Sequence, residues 1–163
     1  MKPSKHNQRF LAAVLIVCVL GVSLYFSYFS PDEQYIPVQG QVGEPRSDDV
    51  WMISRLVAAE SRGEPFEGQV AVAAVVVNRV RDPRFPGTVN GVIYQPGAFS
   101  PVANGSFWRV TPDEGHLRAA RYALNGWDPT NGATFFWNPA TATSKWVWSR
   151  KIITRIGKHV FGT

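Results

Sequence analysis

Asp49-Val50-Trp51-Met52-Ile53-Ser54-Arg55-Leu56-Val57-Ala58-Ala59-Glu60-Ser61-Arg62-Gly63-Glu64 decides how the rest of the chain is read. Ile53, Leu56, Val57 and Glu60 stand at i, i+3, i+4 and i+7, on one face of one helix, and all but Glu60 are apolar. A carboxylate that closes an apolar stripe points towards the core side. Burial disfavours its charged form, so its pKa is expected to rise, which is what a general acid needs near neutral pH. Gly63 supplies the left-handed stop of the helix and leaves Glu60 in the last turn, at the edge of a cleft. The plainer alternative is a structural ion pair on a packed face, with Arg55 or Arg62 as the partner.

Beyond Gly63, Pro65 suits the first position of a second helix running to Arg81. Its Val content would also suit a strand, but the run is too long for one, so a buried helix is expected. Phe66, Val70, Ala73, Val77 and Val80 form an apolar stripe; Asn78 lies on a second stripe of small residues. Asp82-Pro83 ends that helix. Residues 83–110, broken by Pro83, Pro86, Pro96 and Pro101, read as irregular with one helical turn over Val89–Gln95, long enough to line a site. Thr111-Pro112-Asp113-Glu114 reads as a capping box for a helix ending at Asn125-Gly126. Ala133–Asn138 reads as a strand. The alternation of Trp146 with Trp148, then of Ile152, Thr154 and Ile156 before His159 and Phe161, predicts a small antiparallel sheet. The expected class is α+β, a helical lobe followed by a small β lobe.

Upstream of the opening helix, Ser47 or Asp48 is placed to cap it, with acids in its first turn. Residues 1–9 are basic, through Lys2, Lys5 and Arg9. Residues 10–29 carry no charge and have the length of one transmembrane helix. Basic residues before the run and Asp32 and Glu33 after it keep the N-terminus in the cytoplasm and export the rest. No small-x-small cleavage site ends the run, so it reads as an uncleaved signal anchor. Residues 30–47, rich in Pro and Gly, read as a linker, and 48–163 as the exported domain.

The 163 residues carry seventeen Lys and Arg against twelve Asp and Glu, and three of the cations lie in the first nine residues. The exported part is therefore only mildly basic and has no phosphate-tracking Lys/Arg run, which argues against nucleic acid as a partner and suits an anionic polymer such as cell wall. A single cysteine, Cys18, excludes an internal disulfide and a Cys-based zinc site. No His-Glu-x-x-His, no Gly-x-Ser-x-Gly elbow and no phosphate-cradling glycine loop occur. No cofactor is expected. His116 or His159 leaves a metal-dependent amidase as a minor alternative. A buried Glu with many Trp and Tyr fits acid-catalysed cleavage of a sugar polymer. Two-carboxylate mechanisms need a second Asp or Glu, for which Glu64 and Asp128 are the candidates. In a one-carboxylate route, the C6 hydroxyl of a muramic-acid sugar attacks its own anomeric carbon and the same Glu gives and then takes a proton.

Five blocks of this chain resemble the SleB/CwlJ-type spore cortex-lytic, cell-wall hydrolase family. They are Ala59-Glu60-Ser61-Arg62-Gly63-Glu64-Pro65 with Gly68 to Arg79, Gly91-Val92-Ile93-Tyr94-Gln95-Pro96-Gly97 with Phe99-Ser100-Pro101, Ala123 to Pro129, Phe136-Trp137-Asn138-Pro139, and Ile156 to Phe161. They follow in order over residues 50–162. The resemblance implies a lysozyme-like domain related to lytic transglycosylases and resuscitation-promoting factors. It implies cleavage of the bond between N-acetylmuramic acid and N-acetylglucosamine in peptidoglycan, with Glu60 as catalyst. It places Glu64, Asn78, Tyr94, Gln95, Phe99 and Ser100 in the cleft. Trp137, Asn138, Trp146 and Trp148 are candidate sugar contacts for which packing in the core is the plainer alternative. Ala98 stands where the family often has Gln, and Lys158 where it often has Asn. A water-using muramidase, a non-catalytic wall-binding scaffold and dependence on an activating protein partner remain open at this point.

Overall fold

Helix α2, Phe66–Arg81, is the centre around which the other elements pack. The structure is a computed structural model that describes residues 45–163. The expected basic tip (1–9), signal anchor (10–29) and most of the linker (30–47) lie outside the described residues. Among the described residues no helix is long and apolar enough to cross a membrane.

Every residue from Val70 to Val77 is buried, so α2 is apolar all round, as a helix enclosed on every side must be. Asp82 leaves it in an extended conformation, φ −92° and ψ 122°, which is what the ring of Pro83 demands of the residue before it. Helix α1, Ser47–Glu60, packs against α2 through Ile53, Leu56 and Val57, all fully buried. Each such side chain contributes about 1.5–3 kcal/mol by leaving water. Asp48 and Asp49 lie in its first turn, as expected. The cap position, however, falls on Arg46, which makes no side-chain capping bond, so neither Ser47 nor Asp48 is the cap. At the other end Glu60 is the last helical residue. Ser61 closes the turn, its Oγ donating to the Val57 carbonyl at 2.6 Å, and Gly63 takes φ +74°.

The expected irregular segment contains α3, Val89–Ile93, α4, Ser100–Ala103, and a 3₁₀ turn, Ser106–Arg109, whose Phe107 is fully buried. Helix α5, Glu114–Leu124, packs across α1 and α2. Its capping box is displaced from Thr111–Glu114. Asp113 is the cap, its carboxylate accepts from the His116 backbone N–H at 3.0 Å, and the His116 Nδ1 accepts from the Asp113 N–H at 3.1 Å. An anionic cap suits the positive end of a helix better than a Thr hydroxyl does. Pro112 thus precedes the helix rather than opening it, and His116 is engaged as a cap.

Strands β1, Phe135–Trp137, β2, Ile152–Ile156, and β3, His159–Gly162, form an antiparallel sheet in the order β1-β3-β2. Trp137 pairs with Val160 and Ile156 with His159, and a bulge interrupts β2 between Ile152 and Thr154. Trp146 and Trp148 do not join the sheet. Lys145–Ser149 is a 3₁₀ turn, held by Ser149 Oγ donating to the Trp146 carbonyl at 2.8 Å and by the Arg150 N–H on the Val147 carbonyl at 3.3 Å. Local bonds of this kind compete with a strand ladder, and the Trp-Val-Trp alternation does not reveal them.

Candidate active site

A cleft of about 450 Å³ opens where the helices meet the sheet. Glu60 reaches it from the last residue of α1, Arg79 from α2, Ala98 from the segment before α4, and Ser100 from the first residue of α4. Phe136 and Trp137 come from β1, Asn138 and Thr141–Ser144 from the loop that follows, Val147 from the 3₁₀ turn, and His159 from β3. Glu60 is the one carboxylate in this lining.

Burial pushes the Glu60 carboxyl up to about 7, against the pull of the Arg79 guanidinium, which lowers it. Arg79 is 5% exposed. Its Nε donates to the Thr134 carbonyl at 2.7 Å, and its guanidinium lies 4.9 Å from the Phe99 ring centroid and 5.3 Å from those of Phe85 and Phe135. Burial pulls its own pKa down to about 10, against the support of Glu60. A fixed cation, enclosed by rings, therefore faces a carboxyl that is half-protonated near pH 7. The charge partner of Glu60 is Arg79, not Arg55 or Arg62. Arg55 stacks among Trp51, Phe107 and Trp108 instead.

Of the residues expected at the site, Glu60, Ser100, Trp137 and Asn138 share the cleft, while Glu64, Asn78, Tyr94, Gln95 and Phe99 are outside its lining. Glu64 is buried behind it. Its Oε2 accepts from the Lys158 backbone N–H at 3.0 Å, in the turn between β2 and β3, and its Oε1 lies 3.8 Å from Nδ1 of His159. Asn78 Nδ2 donates to Asp128 Oδ2 at 2.9 Å and to the Ala133 carbonyl at 3.0 Å. Asp128 also accepts from Thr130 and from the Gly132 N–H. Burial would raise the Asp128 carboxyl, but these hydrogen bonds outweigh it and hold it below the usual range. Phe99 backs the cleft by packing on Arg79 and Phe136. Tyr94 stacks on Trp108, with ring centroids 6.1 Å apart. Gln95 belongs to the turn after α3, its N–H on the Val92 carbonyl.

Two cleft groups carried little or no signal in the sequence. Arg79 follows Val72, Val75 and Val76 at i+7, i+4 and i+3, so a cation on the buried face of α2 was there to be read. His159 was singled out only as a metal ligand. It lies edge-on to Phe136, with centroids 5.3 Å apart, and burial, reinforced by Lys158 and opposed by Glu64, pulls its pKa down. Among the described residues no three His, Cys, Asp or Glu side chains gather as a metal-ligand set.

The raised Glu60 carboxyl has a stability consequence. The folded state holds this proton more tightly than the unfolded chain, where the carboxyl sits near 4.5, so stability is lost as pH rises from about 4.5 to 7. The full loss is about 3 kcal/mol. Relative to wild type, Glu60→Gln should therefore gain about 3 kcal/mol more at pH 8 than at pH 4.5, measured by urea unfolding. An equal difference at both pH values would mean that the buried carboxylate carries no such cost.

The family profile described as Cell Wall Hydrolase matches residues 63–162. The chain is 52% identical over 131 residues to the spore cortex-lytic enzyme of Halalkalibacterium halodurans, covering 80% of this chain and 39% of that protein. It thus spans about two fifths of that relative's length. It is 30% identical over 122 residues to the cell wall hydrolase CwlJ of Bacillus subtilis, covering 71% of this chain and 84% of CwlJ. Among solved structures, the catalytic domain of the germination-specific lytic transglycosylase SleB from Bacillus anthracis superposes with a TM-score of 0.69 at 50% identity, over 76% of this chain and 100% of that domain.

Proposed function

The chain belongs to the cell wall hydrolase family, and we propose on that premise that it cleaves the glycan strands of peptidoglycan as a lytic transglycosylase. Glu60 acts as acid and then as base. Residues 10–29 anchor the chain in the membrane and place the domain on the wall side, which raises its effective concentration beside the substrate.

The observation that carries the reading is the solitary carboxylate. Glu60 lines the cleft with a pKa of about 7. Of the two other candidates, Glu64 holds the β2–β3 turn and Asp128 is enclosed by Asn78, Thr130 and Gly132. A two-carboxylate route needs a second acid across the scissile bond. A one-carboxylate route does not. Protonated Glu60 gives its proton to the glycosidic oxygen as the bond from C1 of N-acetylmuramic acid to the N-acetylglucosamine oxygen breaks. The muramic C6 hydroxyl oxygen then bonds to C1, and its proton passes to the Glu60 carboxylate. The product carries a 1,6-anhydro ring, no water is consumed, and Glu60 ends protonated as it began. Arg79 stabilises the carboxylate between the two transfers.

Two measurements test this. Purified spore cortex and vegetative sacculi should lose turbidity when the chain is added. Binding to both without release of soluble fragments would favour a wall-binding scaffold instead. In the pH profile, kcat/KM should fall above about pH 7, because the first step needs protonated Glu60. Arg79→Met removes the cation that lowers Glu60, so that limb should move to higher pH, whereas Arg79→Lys should leave it near 7. An unmoved limb in Arg79→Met would dissociate Arg79 from the acid.

A further inference from the structure

After Asp128 the chain carries no Asp or Glu, but it carries Lys145, Arg150, Lys151, Arg155 and Lys158. The β lobe is therefore basic throughout, and three of these cations, Lys145, Arg150 and Lys151, stand within a few residues of two exposed indoles. Trp146 is 49% and Trp148 51% exposed, and Val147 between them lines the cleft. Both rings are held from behind. Trp148 packs against the cleft-wall Trp137, with centroids 6.3 Å apart at 77°. Trp146 packs edge-on to Phe135 at 5.0 Å, with the Arg150 guanidinium 4.4 Å from its centroid. Rings fixed on one side and open on the other can stack on a ligand at little ordering cost. Lys145 and Lys151 flank them, both exposed.

We propose that the 3₁₀ turn Lys145–Ser149 and the entry to β2, residues 150–152, form a secondary glycan-strand surface continuous with the cleft. It holds polymer beyond the sugars at the cleaved bond. Trp146 and Trp148 take pyranose faces, and Lys145 and Lys151 take carboxylates of the peptide stems. The inference rests on peptidoglycan as the substrate. Its consequence is a preference for long strands over short fragments. Continuity with the cleft favours a glycan over an anionic membrane, because Val147, between the two rings in sequence, lines the cleft itself.

The test compares kcat/KM on long uncrosslinked glycan strands with that on a peptidoglycan tetrasaccharide, using the full chain in detergent. Trp148→Ala should lower the polymer-to-tetrasaccharide ratio about tenfold, the effect of one lost ring stack. The paired reversal Lys145→Glu with Lys151→Glu touches only exposed side chains, so it guards against misfolding. It should lower the ratio about fivefold and flatten its dependence on salt. Trp108→Ala removes an equally exposed ring elsewhere and should leave the ratio alone. The same substitutions placed in Glu60→Gln should weaken pelleting with sacculi, a readout independent of catalysis and so of whether Glu60 cleaves. An unchanged ratio together with unchanged pelleting in both rim variants would overturn the inference. So would loss of binding to vesicles containing phosphatidylglycerol with the ratio intact, which would assign the surface to a membrane.

Discussion

Glu60→Gln is expected to lower glycan cleavage by about a thousandfold or more, since both proton transfers pass through this one carboxyl and each such role is worth 10²–10⁴. Gln keeps the size and hydrogen-bonding reach of Glu but can neither give nor take the proton. Binding to sacculi should persist, because Ser100, Trp137 and Asn138 are untouched. Thermal unfolding at pH 8 should occur at or above the wild-type temperature, because the buried carboxylate is gone. The loss would therefore be chemical rather than structural. Activity within tenfold of wild type would remove Glu60 from the mechanism. Glu60→Asp should also be severely impaired, because the carboxyl retreats by one methylene from a position set by the end of α1.

The largest stability effect is expected at Gly157. This residue turns the chain between β2 and β3 at φ +58°, with Ile156 and His159 paired on either side. Positive φ at the first central position of a two-residue hairpin loop is the reason for glycine there. A Cβ at 157 would collide with Glu64 Oε2 and stand 2.9 Å from Cδ of Pro65. Glu64 has little room to yield, being buried and bonded to the Lys158 N–H at 3.0 Å. Gly157→Ala therefore combines left-handed strain, overpacking and loss of a buried charge-assisted hydrogen bond, together about 4 kcal/mol. His159 lines the cleft from the same hairpin, so activity should fall with stability. A fall in urea-unfolding stability below 1 kcal/mol would show that the turn adapts and that Glu64 does not brace it.

What the sequence disclosed and what it concealed divide along the range of the interactions. Helix α1 and the inward placement of Glu60 follow from a 3.6-residue period, which is local, and the length of the apolar run settled α2 as a helix despite its Val content. The sheet was legible around Ile152–Phe161, where Ile152, Thr154 and Ile156 alternate before His159 and Phe161. Trp146–Trp148 misled because a 3₁₀ turn with two exposed rings alternates just as a half-buried strand does. The cap of α5 slipped by two residues because Asp113 and His116 satisfy the same geometry as Thr111 and Glu114. The long-range pairs left no trace in spacing. Asn78 meets Asp128 fifty residues on, and Glu64 meets Lys158 after ninety-four. The resemblance to the family places both polar residues in the cleft. The structure accounts for them as brackets that tie the later loop and hairpin to α2 and the turn before it.

The chemistry of the cut ends tests the one-carboxylate reading most directly. Sacculi and spore cortex would be digested with the wild-type chain, with Glu60→Gln in parallel, and the soluble fragments identified by mass spectrometry. Fragments ending in 1,6-anhydro-N-acetylmuramic acid, absent from the Glu60→Gln digest, are the predicted result. Fragments with reducing ends, each heavier by one water, would contradict it. They would mean that water is the nucleophile and that a second group beside Glu60 activates it.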